Sequence, residues 1–120
     1  MTAALALALV TTTAPAPAAP ETAYLRCVGG SVNGAAVDFI VTIRGAEGTL
    51  EGFPFVVKTN PANTAWQLIG PTNIPPDQGV KFTIDRIRGD FIMQSKEGET
   101  IASSARGGPG GGCMVAKPKF

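Results

Sequence analysis

The chain has 120 residues, enough for one domain on ordinary size priors, and 44% of them are hydrophobic. Ten Lys and Arg stand against nine Asp and Glu, a formal charge of +1, so neither an overall basic balance nor a local cluster marks a nucleic-acid footprint. Histidine is absent, which excludes Ser-His-Asp and Cys-His nucleophilic machinery in their usual forms and every zinc site built on imidazole.

Residues 1–10, MTAALALALV, form an apolar run too short for a membrane span, which takes roughly 20 residues. A Thr/Ala/Pro segment, 11–20, follows it. This composition predicts a cleaved signal peptide over 1–18, with Ala16 and Ala18 as the small residues before the cut, although no Lys or Arg precedes the run. Residues 19–23 then read as a linker and 24–120 as a single domain in the periplasm or outside the cell. No later stretch is long and apolar enough to span a bilayer, and no lipobox precedes Cys27.

A domain of about 100 residues buries only a modest core and benefits from a staple. In an exported chain, the lone pair Cys27 and Cys113 is expected to form a disulfide that closes most of the domain into one loop. Two free thiols are the alternative, and a reducing compartment would favour them.

In chain order, residues 24–32 contain strand-compatible Leu25, Cys27 and Val28. Asn33-Gly34 then offers the positive φ of a two-residue type I′ turn. Val37, Phe39, Val41 and Ile43 alternate with Asp38, Thr42 and Arg44, which predicts a half-buried strand; only Ile40 breaks the pattern. Short strands are expected over 49–51, over 53–58 (with Pro54 placing that strand at a sheet edge or bulge) and over 65–69, which carries the only tryptophan. Residues 71–79 read as an exposed loop, and 80–93 as a hairpin.

With Arg88-Gly89 at the tip, or with a four-residue loop built on a type I turn that spares Arg88 a positive φ, Ile84 would face Met93 and Arg86 would face Phe91. Val80, Phe82, Ile84, Phe91 and Met93 then share one face, with Arg86 as the one charge on it. A three-residue loop would set Ile84 opposite Ile92 and leave Phe91 and Met93 on the polar side. A strand over 100–105, a flexible glycine-rich loop over 106–112 and a last short strand over 114–120 complete the chain. Seven to nine short strands with frequent turn signals predict an all-β fold, a small antiparallel sandwich or barrel.

Few residues point to chemistry. The glycine run 107–112 is followed by no Lys-Ser or Lys-Thr and opens no helix, as a phosphate cradle would require. Arg88-Gly89-Asp90 spells a tripeptide known from adhesion motifs, but Gly89 and Asp90 are ordinary turn residues. Asp38, Glu51, Asp85 and Asp90 are the acids that a glycosidase-like pair would draw on, and their alternation with apolar neighbours reads as solvated strand faces. Trp66 either lines a pocket or fills core.

Cys27, the Ile84-Asp85-Arg86 element with Gly89, and Cys113 ahead of Lys117-Pro118-Lys119-Phe120 together resemble small exported bacterial proteins of uncharacterised function. A more remote likeness is to the periplasmic inhibitors of C-type lysozyme, also small disulfide-tied β-barrels. It implies inhibition of a cell-wall hydrolase, although Ser31-Val32 and Trp66-Gln67 do not reproduce that family's Ser-Gly loop or its lysine-bearing element.

The expectation is a non-enzymatic binding or envelope-associated module for a protein or small-molecule ligand, without catalytic residues, metal or cofactor. The contact loops would be 71–79, with Asn73, Asp77 and Gln78, and 106–112, with Arg106. Asp85 and Arg86 are expected to be structural. Inhibition of a cell-wall hydrolase is the alternative, and a carboxylate-dependent hydrolase a third.

Overall fold

In the structure, a computed structural model, residues 22–116 are described. The expected signal peptide and residues 117–120 lie outside them. Nine strands follow in order: β1 (Thr22–Ser31), β2 (Ala36–Arg44), β3 (Glu47–Leu50), β4 (Phe53–Thr59), β5 (Ala65–Gly70), β6 (Val80–Asp85), β7 (Phe91–Ser95), β8 (Thr100–Ser103) and β9 (Gly112–Val115). Each of β1 to β7 pairs antiparallel with the next, and β8 returns to β1, so the sheet closes into an eight-stranded barrel with β9 as an extra strand. Among the described residues, no helix is long and apolar enough to cross a membrane.

Period-two patterning fills the barrel. Val41 and Ile43 of β2 are buried, with Val37 and Phe39 packed against the core, while Asp38 and Ile40 point outward. Leu25, Leu50, Phe55, Val57, Leu68, Phe82, Ile84, Phe91 and Met93 complete the inward rows. At the centre Phe82 stacks on Phe91 with ring centroids 5.0 Å apart, and Phe39 meets both rings edge-on. This aromatic trio leaves the interior packed with side chains, as small barrels require.

Three sequence expectations need correction. The β6–β7 hairpin buries the predicted face, but its register is displaced by two residues: Ile84 pairs with Phe91 and Phe82 with Met93. The turn has four residues, the longer of the loops that keep the buried face, but it lies at 86–89. It needs positive φ only at Gly89, at 80°, and thereby spares Arg88 that strain. The β1–β2 turn holds three residues, 32–34, because Ser31 N–H donates to the Ala35 carbonyl, and only Gly34 has positive φ. Pro54 lies in β4, between β3 and β5, and not at a sheet edge. Pairing with β5 begins only at Val56, and the Pro54 carbonyl instead accepts from Thr72 N–H. Its missing donor is therefore not needed there.

The end of the chain also differs from expectation. Residues 104–110, which overlap the expected glycine-rich loop, form a 3-10 segment, and the last strand starts at Gly112. On the edge of β1, Gly30 pairs with Ser103 of β8 and Val28 with Gly112 of β9. One β1 residue, Gly29, thus lies between the two pairings, against residues 104–111 on the other side. β8 and β9 are two halves of one closing strand, interrupted by an excursion.

The interruption leaves few polar groups unmatched. Where β8 departs, the buried Ser104 hydroxyl accepts from Phe91 N–H at 3.1 Å and donates to the Phe91 carbonyl at 3.3 Å. Farther along, Cys113 N–H donates to the Gly89 carbonyl at 2.6 Å. A side chain at Gly29 would overlap the Ser103 carbonyl and come within 2.8 Å of the Phe91 ring, so the seam closes only over glycine.

Cys27 and Cys113 face each other across β1 and β9 and form the disulfide. Their sequence separation of 86 residues places the link near the top of the range for loop-closure stabilisation, about 4–5 kcal/mol in the chain-entropy description. Replacing both cysteines by alanine should lower the unfolding free energy by about 4 kcal/mol in a denaturant titration. A loss below about 1 kcal/mol would mean that strand pairing alone holds the seam.

Candidate functional site

Phenylalanines and aliphatic side chains fill the barrel, and the concavities lie on its outside. The larger concavity is a groove of about 520 Å³ beneath the β5–β6 loop. Its floor is the outward face of β4 and β5, Val56 and Ile69, which pair directly across the two strands. Pro71, Thr72 and Ile74 form one wall, and Val80, Lys81, Ser95 and Lys96 form the other. The Thr72–Pro54 hydrogen bond pins the start of the loop to the rim, and a 3-10 turn at Pro76–Gln78 returns the chain to β6. A second concavity of about 410 Å³, lined by Arg44, Glu47 and Thr49 among others, adjoins the first at Val56 and Thr72.

The groove volume lies within the range of small-ligand sites, and its lining is largely apolar with a few polar groups. The sequence held one clue to its floor. Val56-Val57 and Leu68-Ile69 are adjacent apolar pairs inside alternating strands, so one member of each must face outward. Val57 and Leu68 are buried; Val56 and Ile69 are exposed.

Of the predicted contact residues, Asn73, Asp77 and Gln78 are exposed on the β5–β6 loop, while its neighbours Thr72, Ile74 and Gly79 line the groove. Arg106 is exposed on the 3-10 segment Ser104–Gly110. In an up-and-down meander the β5–β6 connection and the segment after β8 emerge at opposite ends of the barrel. The two loops therefore form no common surface.

The acids have structural partners. Asp38 and Arg26 form a bidentate pair, with Nη2 to Oδ2 at 2.6 Å, and this bond holds the Asp38 carboxyl below its ordinary value. The Glu51 carboxylate accepts from Ile40 N–H at 2.6 Å. Asp85 Oδ1 accepts from Ile87 N–H at 2.9 Å and Arg88 N–H at 3.0 Å, capping the β6–β7 turn. Asp90 pairs with Arg88 at 3.3 Å, so the Arg-Gly-Asp side chains engage each other. Among the described residues, no group of three or more His, Cys, Asp and Glu is placed to hold a metal ion.

Arg86 sits in the turn. Its guanidinium lies 4.0 Å from the centre of the Trp66 ring and donates to the Asn63 carbonyl and side-chain oxygens, while its backbone N–H donates to Thr64. One side chain thus fastens the β6–β7 turn to the β4–β5 turn and covers Trp66, which packs against the core.

Comparison with protein-family models, with curated proteins and with solved structures returns no match for this chain.

Two outcomes follow for the turn. Arg86→Ala should reduce stability by about 1 kcal/mol, with Arg86→Lys intermediate, because a lysine retains the charge over Trp66 but not the fork toward Asn63. Equal stability of all three in thermal melts would remove the clamp. The Asp85 carboxyl is held below its ordinary value of 3.8 by the N–H groups of Arg88 and Ile87. Its contribution is therefore present above that pH and is lost as the pH falls through the folded-state value. Asp85→Asn should flatten the decline in melting temperature below about pH 4, and an unaltered pH profile would contradict that linkage.

Proposed function

We propose that the protein is an exported, non-enzymatic binding module whose ligand docks in the groove beneath the β5–β6 loop. The observation that carries this reading is the exposed apolar floor, Val56 and Ile69, roofed by a pinned loop outside an already filled barrel. Leaving apolar side chains in water across adjoining strands, when most of the outward face is polar, makes physical sense where a partner covers them. The structural engagement of Asp38, Glu51, Asp85 and Asp90 supports binding over carboxylate-dependent hydrolysis. Export is supported by the leader-like composition of residues 1–18 and by the disulfide.

The test uses the oxidised protein immobilised and equilibrated with extracellular or envelope extract, beside an Ile69→Asp variant. Ile69 faces outward, so the variant should keep its melting temperature while placing a charge on the groove floor. A component retained by the parent and lost from the variant, identified by mass spectrometry of both protein and extracted small molecules, is the expected result. Equal retention by both, or by neither, would overturn the reading.

A further inference from the structure

The groove is polarised along its length. One row of outward side chains runs straight across four strands: Glu47 of β3 pairs with Val56 of β4, Val56 with Ile69 of β5, and Ile69 with Lys81 of β6. Adjacent strands lie about 4.8 Å apart, so the row spans roughly 14 Å, apolar in the middle and basic at the β6 end, while Glu47 lies outside the groove lining and pairs across the strands with Arg44 of β2. Lys96, from the β7–β8 turn, adds a second ammonium at the basic end. Among the described residues neither lysine forms an ion pair. Each carries three donors on a flexible stem and can close on an oxygen anion without geometric constraint.

We infer that the groove binds a single-chain amphipathic anion: an unbranched apolar chain lying over Val56 and Ile69, with a carboxylate head between Lys81 and Lys96. Lys81 and Lys96 set the direction, since both lie at one end of the groove, whereas beyond the other end Glu47 is matched by Arg44. A compact anion would find only the two lysines, one half-buried and one exposed. A neutral chain would find apolar contact without a fixed orientation. The inference rests on the groove being the binding surface of this protein and adds the ligand class to that reading.

The experiment titrates the isotopically labelled, oxidised protein with decanoate below its micellar concentration and follows backbone amide shifts by NMR. Decanol, decyltrimethylammonium and acetate serve as comparison ligands. Decanoate should shift the amides of Val56, Ile69 and Lys81 and bind more tightly than the other three. The Lys81→Gln/Lys96→Gln double variant should weaken decanoate by about three- to tenfold while leaving decanol unchanged, and added salt should narrow that difference. Decyltrimethylammonium binding as well as decanoate would overturn the assigned polarity. Shifts confined to other parts of the barrel, or none, would overturn the assigned ligand. If extract components are still lost with Ile69→Asp while decanoate leaves the groove untouched, the ligand class fails and the docking surface stands; if both assays are blank, the docking surface fails with it.

Discussion

A meander of eight strands keeps two open edges unless its last strand reaches its first, and here β8 contributes only the pairs at Gly30 and Ser31 to that return. Four further pairs come from β9, after the chain has left the sheet and come back. Closure therefore depends on β1 having both edges occupied, by β2 along nearly its full length and by a divided strand on the other side. The disulfide sits in the β9 half of this seam, where pairing is newest in sequence and farthest from the strand it joins. A cross-link at any hairpin would close a far shorter loop and restrict the unfolded chain less.

The groove follows from the same closure. Because the barrel is complete, its inward rows are spent on Phe39, Phe82, Phe91 and their neighbours, and little space remains inside for a guest. What binding capacity the fold has must lie on the outward rows and connections. Only the β5–β6 connection among the barrel turns is long enough to fold back over the wall. Its anchor is Pro54, a residue that cannot donate to a neighbouring strand and whose carbonyl is free to hold Thr72.

Much of this was readable where one physical rule operates alone. The β2 alternation specified its inner face residue by residue, with Ile40 as the single apolar side chain left outside. The shared face of β6 and β7 was equally plain, because a displacement by two residues preserves side-chain orientation. The register itself was hidden. Asp85 ends its strand by capping the turn with its own carboxylate, a local interaction that composition does not distinguish from an ordinary strand acid. Barrel and sandwich could not be separated either, since the difference lies in two residue pairs joining the start of the domain to a strand some seventy residues later. The 3-10 segment was read as a loose loop because glycines imply freedom in isolation. The Arg106 backbone lying against Gly30 and the Ser104 hydroxyl bonded to Phe91 set its course instead. The groove is hidden for a related reason: adjacent apolar residues in a strand signal an exposed member, but only the folded structure shows that Val56 and Ile69 lie side by side beneath the β5–β6 loop.

The divided closing strand also imposes an order of events on the chain. While the polypeptide is being made or threaded through a pore, hairpins from β2 through β7 can form from neighbouring residues. The first strand, however, has one edge waiting for residues that emerge last. Contacts so distant in sequence are slow to establish, and until they form the aromatic centre remains open on one side. The latch adds a second condition, because Cys27 and Cys113 need an oxidant as well as each other. A chain built this way completes its barrel only once β9 is available, and the disulfide then fixes a closure that pairing has already made.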